Sequence, residues 1–353
     1  MARYTPLSLT AQTAYAQLFD AALGTDTART VANLRGSFAK KKVKGRDYWY
    51  FQYTDLGGKL RQIYVGPDSG EIRSLAQQSK APKAEPLAPL SRSAIALGCT
   101  PVLARHYRVI RRLSDYGFFK AGGMLVGTHA FLAYGNMLGV RWGEASRTQD
   151  MDFAHAGKNL ALALPANVQI DTHAAIDSLQ MGLLPMAGLL NKAGATYLNP
   201  KNPEFRLDFL TTLHRGGEKP YEHPQLGVAL QPLKFMEYSL EHVVQAALFC
   251  AEGAVIVNVP HPARYALHKL LVYGERKGSY LQKSGKDLSQ ATALLAFFKE
   301  LRAWEIDEAW ADLISRGPGW RTRAKQGVAA VAKTAPELDA QMWLALPKKR
   351  STS

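Results

Sequence analysis

The chain has 353 residues, 47% hydrophobic and 21% charged, which excludes a disordered chain, a collagen and a coiled-coil rod and leaves room for about two domains. Lys and Arg outnumber Asp and Glu by 44 to 29, a formal charge of +15 that suits a polyanionic partner such as a nucleotide, a nucleic acid or an anionic membrane. Two cysteines, Cys99 and Cys250, cannot build a disulfide framework or a cysteine-based zinc site, and the expected compartment is the reducing cytoplasm. The N-terminus shows no apolar signal region, and no run of about 18 apolar residues predicts a membrane helix.

Leu7, Ala11, Ala14, Tyr15, Leu18, Phe19 and Ala22 have helical spacing, which predicts a helix over 7–23 with Gly24 as its C-cap. A basic segment follows, holding Lys40, Lys41, Lys42, Lys44 and Arg46. Tyr48-Trp49-Tyr50-Phe51-Gln52-Tyr53 and Lys59 to Gly66 flank Gly57-Gly58 and predict a small basic β-hairpin sheet of two or three strands. Residues 79–93, rich in Pro, Ala, Lys and Ser, read as a linker. A helix is predicted from Arg105 to Asp115, a strand from Phe118 to Val126 and a helix from His129. His129 is expected at the surface or as a hydrogen-bond donor at the helix start, not as a metal ligand. Further strands are predicted around Asp150 to Phe153, Phe205 to Leu210 and Ala254 to Val259. After Pro262 the pattern is helical, with breaks near Gly278, Gly285 and Gly317-Pro318-Gly319. The expected division is 1–80 for the N-terminal helix and basic hairpin, 94–260 for a mixed α/β domain and 261–345 for a helical domain.

Arg147-Thr148-Gln149-Asp150-Met151-Asp152-Phe153 carries the most chemistry. On a strand, Asp150 and Asp152 project to one face and Met151 and Phe153 to the other. Paired carboxylates repel unless a cation lies between them, and an all-oxygen donor pair suits Mg²⁺. Asp208, flanked by Leu207 and Phe209, is an acid in a core strand, costly there unless it lies at a strand end or binds metal. Met124 to Phe131 reads as strand, turn and helix start, where Gly127 and Thr128 offer amides and a hydroxyl to a phosphate. Lys269 and Arg276 share a face of the helix after Pro262, and Lys286-Asp287 follows. Such cations would hold a triphosphate; a solvated basic face remains the other reading.

Together these segments resemble the DNA polymerase β-like nucleotidyltransferase superfamily, with its Gly-[Gly/Ser] turn, Asp-x-Asp and third acid on a neighbouring strand. They resemble in particular bacterial stand-alone nucleotidyltransferase-fold proteins and the nucleotidyltransferase toxins of abortive-infection systems. The matching residues are Gly127-Thr128, Arg147 to Asp152, Asp208, Lys269 with Arg276, and Lys286-Asp287, within roughly 100–300. The resemblance implies an α+β fold whose mixed sheet is flanked by helices, followed by a helical C-terminal part. It implies an enzyme that moves an NMP from an NTP to an acceptor hydroxyl; an RNA 3′ end such as that of tRNA, a protein hydroxyl and a small molecule are the candidate acceptors. Asp150, Asp152 and Asp208 would hold Mg²⁺ or Mn²⁺, and Gly127, Thr128, Arg147, Lys269, Arg276, Lys286 and Asp287 would surround the nucleotide. Thr128 stands where the family has Gly or Ser. Tyr134 to Ser146 reads as an insertion, in which Arg141 and Trp142 are candidates for base or phosphate contacts. Two other roles stay open: a nucleic-acid-binding protein that keeps the scaffold without catalysis, and the toxin of a toxin-antitoxin pair.

Overall fold

The computed structural model describes residues 3–27, 37–54, 60–80, 87–143, 149–156, 170–187, 193–213, 217–275 and 281–345. Strand β1 (Tyr4–Pro6) precedes helix α1 (Leu9–Thr27). Ala11, Tyr15, Leu18 and Ala22 form its buried stripe. Gly24 lies inside this helix rather than at its cap.

Strands β2 (Ser37–Val43), β3 (Arg46–Thr54) and β4 (Leu60–Pro67) form an antiparallel sheet in that order. The lysine run is therefore a strand. Lys44 and Gly45 both take positive φ, 48° and 79°, as a two-residue hairpin turn requires. The Gly57-Gly58 turn lies outside the described residues. Helix α2 (Gly70–Lys80) covers one face of the sheet, enclosing Phe38, Phe51 and Ala76. Helix α3 (Ala88–Ala96) occupies the second half of the expected linker, with Pro89 in the first turn, where its missing N–H costs nothing. Its Ala94 is buried, and α1 packs with α3 in a core separate from that of the basic sheet.

Helix α4 (Ala104–Asp115) leads to a turn at Phe118–Gly122, not to a strand. Phe118 N–H donates to Leu113 O and Gly123 N–H to Phe118 O, while Asn258 Nδ2 donates to Phe119 O and Gly123 O. The chain then runs through β5 (Met124–Val126), α5 (Gly127–Met137), β6 (Val140–Trp142), β7 (Met151–His155), α6 (Thr172–Asp177), β8 (Leu184–Ala187), β9 (Ala193–Asn199), β10 (Asn202–Thr212), β11 (Tyr221–His223) and β12 (Val228–Leu233). The mixed sheet has the order β11-β12-β10-β7-β5, with β9 on the first half of β10 and β8 on β9. β10 runs parallel to β7 and β12, and β5 runs antiparallel to β7.

After α7 (Met236–Leu240), β13 (Val243–Cys250) and β14 (Gly253–Pro260) make a separate hairpin. Its alternation divides it between two cores. Ala247, Phe249, Ala254 and Ile256 face α1 and α3, while Leu248, Val255, Val257 and Val259 face the main core. This double burial explains why β14 reads as a continuous apolar run. Helices α8 (Pro262–Glu275), α9 (Leu281–Leu301), α10 (Ala303–Ser315), α11 (Pro318–Thr334) and α12 (Ala340–Trp343) complete the chain. Gly285 lies within α9 and does not break it, whereas Gly317-Pro318 does separate α10 from α11. One buried cluster runs from Val102 to Leu344, so the core is continuous across position 260. Among the described residues no helix is long and apolar enough to cross a membrane.

His129 is not at the surface; in the first turn of α5 it makes a ring hydrogen bond. It is wholly buried, and its Nε2 lies 2.9 Å from Nδ1 of His106 on α4, whose ring stacks on Phe205. Burial lowers His106 to about 4 and His129 to about 3, against a weaker upward pull from Asp150. His155 and His223 form a second buried pair, and burial lowers His223 to about 4.

These folded-state values lie below the unfolded value of about 6.5. The unfolded chain therefore takes up protons that the folded chain refuses as pH falls below 6.5. Stability is fully present above that value and is lost at up to about 1.4 kcal/mol per pH unit per histidine. The unfolding temperature is expected to fall steadily from pH 6.5 to 5, above the ordinary carboxylate range. A flat profile there would contradict two buried neutral pairs.

Candidate functional site

Strand alternation builds an acidic face on the mixed sheet. Met151, Phe153, Leu207 and Phe209 are completely buried in the core, which turns Asp152 and Asp208 to the opposite side. The parallel register of β7 and β10 pairs Asp152 directly with Asp208. Asp150 lies two residues before Asp152, at the mouth of β7. The three acids, up to 58 positions apart in sequence, thus share one face of adjacent strands.

Two residues that sequence reasoning passed over hold this face. Arg206, two residues before Asp208 on the same side of β10, places Nε 3.0 Å from Asp208 Oδ2 and Nη2 3.7 Å from Asp150 Oδ2. Thr196 on β9 donates its hydroxyl to Asp208 Oδ1 at 2.6 Å. The Arg206 signal was present, because residues i and i+2 share a strand face. Thr196 arrives from another strand and gives no local signal.

Gly127 starts α5 immediately beside Asp152. Its φ is +61°, and a Cβ there would stand 2.0 Å from Asp152 Oδ2. Only glycine accommodates both the left-handed backbone and the carboxylate. The first turn of α5 is braced by the C-terminal helices. The Tyr265 hydroxyl of α8 lies 2.9 Å from Gly127 O and 2.8 Å from Gln290 Oε1 of α9, and Gln290 Nε2 donates to Thr128 Oγ1 at 3.2 Å. Burial, reinforced by Asp287 and Asp152, holds the Tyr265 phenol well above its ordinary pKa, so it stays neutral. Tyr265 lies four residues before Lys269 and Gln290 three after Asp287, helical spacings that place each beside a residue already singled out.

Lys269 pairs with buried Asp287 at 2.5 Å and lies 5.2 Å over the Tyr265 ring. Asp287 therefore anchors a cation. Lys286, half-buried, has its pKa lowered mainly by burial, with Lys269 adding repulsion. Asp150 and Asp152 oppose that shift, and so α9 brings Lys286 within electrostatic reach of the acidic face. Arg147 and Arg276 lie outside the described residues.

Trp142 does not present itself as a base contact, whereas Arg141 stays exposed. Trp142 is buried, stacks on Phe131 at 4.8 Å and donates Nε1–H to Phe131 O, while Arg141 donates to Gly98 O. Their strand β6 pairs with β1, and Tyr134 to Met137 belong to α5. The described part of the stretch read as an insertion, 134–143, is thus built into the fold.

The donor set is all oxygen and shares one face, which suits a hard divalent cation. Among the described residues the carboxylates are not gathered into a three-ligand cluster, and Arg206 supplies the positive charge between Asp150 and Asp208.

The nucleotidyltransferase family profile matches residues 104–315, and a domain of unknown function matches residues 12–74. No curated protein matches the chain. Among solved structures, an antigenic nucleotidyltransferase-like protein from Paracoccidioides brasiliensis is similar over 64% of this chain and 95% of that one, at 15% identity. Its TM-score of 0.30 is too low a likeness to carry anything over. The family match spans more than half of the chain, from α4 through α10 and across the whole acidic face, and the chain belongs to the nucleotidyltransferase family.

Proposed function

We propose that the protein transfers an NMP from an NTP to an acceptor hydroxyl at the face formed by Asp150, Asp152 and Asp208. The observation that carries this reading is the register pairing of Asp152 with Asp208 beside the Gly127 turn. The acceptor oxygen forms a bond to the α-phosphorus, the α–β bridging P–O bond breaks, pyrophosphate leaves, and the hydroxyl proton passes to the Asp208 carboxylate. Mg²⁺ or Mn²⁺ bound to these carboxylates, in place of the Arg206 guanidinium that now bridges Asp150 and Asp208, would supply Lewis-acid activation of the attacking oxygen.

The remaining roles belong to the chain itself. The amides of Gly127 and Thr128, at the N-terminus of α5, cradle phosphate oxygens. Tyr265 and Gln290 fix that turn. Lys286 faces the acids and offsets the charge of the departing pyrophosphate, and Asp287 orients Lys269 for the same work. Arg147 and Arg276 are proposed as further phosphate contacts. The net charge of +15 favours RNA over a small neutral acceptor.

The test is to incubate the purified protein with each α-labelled NTP, Mg²⁺ or Mn²⁺, and total cellular RNA or protein. Label is expected in one of these fractions. Asp152→Asn should lower transfer by roughly 10³-fold, equivalent to about 4 kcal/mol of transition-state stabilisation, with the unfolding temperature retained. Transfer by Asp152→Asn at the native rate would contradict the reading.

Gly127→Ala separates geometry from charge. It leaves every carboxylate in place but drives a methyl group into Asp152. A left-handed alanine costs about 1–2 kcal/mol, so the protein should remain folded while transfer falls about 100-fold. Native activity in this variant would show that the turn does not position Asp152.

A further inference from the structure

The N-terminal sheet has two unlike faces. α2 covers the side carrying Phe38, Phe51 and, half-buried, Trp49. Among the described residues, the two aspartates that border the sheet are committed there. Asp68 accepts from Trp49 Nε1 at 2.8 Å and pairs with Lys40 and Arg73, and Asp47 pairs with Lys40.

The opposite face follows from the register. Lys41 is opposite Tyr48, Ala39 opposite Tyr50, Tyr50 opposite Tyr64 and Gln52 opposite Gln62. Arg46 shares this side by alternation. Tyr64 is 56% exposed, and Tyr48 and Tyr50 are half-exposed beside it. The Tyr64 ring centroid lies 6.1 Å from that of Tyr48 and 5.6 Å from that of Tyr50. Lys41 extends over the Tyr50 ring at 5.3 Å and donates to Gln62. By alternation, the residues described on this side include no Asp or Glu. Residues 37–80 carry nine Lys and Arg against four Asp and Glu.

We infer that this open face, Tyr48, Tyr50 and Tyr64 with Lys41 and Arg46, binds single-stranded RNA. The sign of the charge selects a polyanion. The rings select unpaired bases, because a duplex has already buried its π-faces in its own stack. The tyrosine hydroxyls and the Gln52 amide, interleaved with the rings, are donors and acceptors that a ribose 2′-hydroxyl can use, which selects RNA over DNA. The structure also divides the basic segment: Lys40, Lys42 and Trp49 lie on the α2 side, while Lys41 and Arg46 lie on the open side. This face is distinct from the acidic one and needs neither NTP nor metal.

The full-length chain would be titrated into a fluorescein-labelled 12-nucleotide oligouridine, with EDTA and without NTP, and followed by fluorescence anisotropy. Binding is expected to weaken with added salt, as phosphate contacts require. Tyr64→Ala and Tyr50→Ala should each weaken it about tenfold, whereas Tyr64→Phe, which keeps the ring, should stay within about threefold of the native chain. Unchanged circular dichroism would confirm that the exposed Tyr64 can be replaced without unfolding the sheet. Absence of binding, native affinity in Tyr64→Ala, or equal or tighter binding of the matching DNA strand or of duplex DNA would overturn the inference.

Discussion

Two carboxylates on directly paired strand positions repel one another, and much of the architecture around β7 and β10 answers that repulsion. Neighbouring strands lie about 4.8 Å apart. Two unit charges at that distance interact by on the order of 3 kcal/mol at an effective dielectric constant of about 20. The buried faces of Met151, Phe153, Leu207 and Phe209 fix the register and prevent the strands from slipping to relieve it. Compensation must come from the open side. Arg206 supplies it along β10, Thr196 donates from β9, and Lys286 of α9 lies within electrostatic reach. A face that needs this much positive charge to persist is well prepared to receive a cation or a phosphate-bearing ligand with one.

The helical C-terminal part is inseparable from that face. Tyr265 and Gln290 hold the carbonyl and hydroxyl of the Gly127-Thr128 turn, and the Lys269–Asp287 pair stands beside them. The continuous core beneath, in which Tyr134 and Tyr265 meet edge to face, ties α5 to α8. The Gly127-Thr128 turn and the C-terminal helices are thereby set by one packing arrangement.

The acidic face was legible because strand periodicity is local: Asp-x-Asp between core residues, and an acid between Leu207 and Phe209, announce themselves without tertiary information. Lys269 and Lys286 were legible as cations downstream of the acids, but the pairing of Lys269 with Asp287 was not. The failures have physical causes. A lysine run gave no hint of strand β2, because its exposed edge tolerates charge on both faces. His129 looked polar but is buried, with Nε2 against a second histidine, His106. Trp142 looked like a ligand contact because its partner Phe131 lies on another element. Pro89 suggested a linker, although proline fits a helix's first turn as well as a loop.

We propose that Asp150, Asp152 and Asp208 act as one oxygen-donor set. Electron paramagnetic resonance of Mn²⁺ titrated into the full chain tests it directly, by counting bound ions in the native protein and in Asp208→Asn. The account predicts bound Mn²⁺ in the native chain and its loss, or at least a tenfold weakening, when the carboxylate on β10 is replaced. Undiminished Mn²⁺ binding in Asp208→Asn would show that the two strands do not share a site.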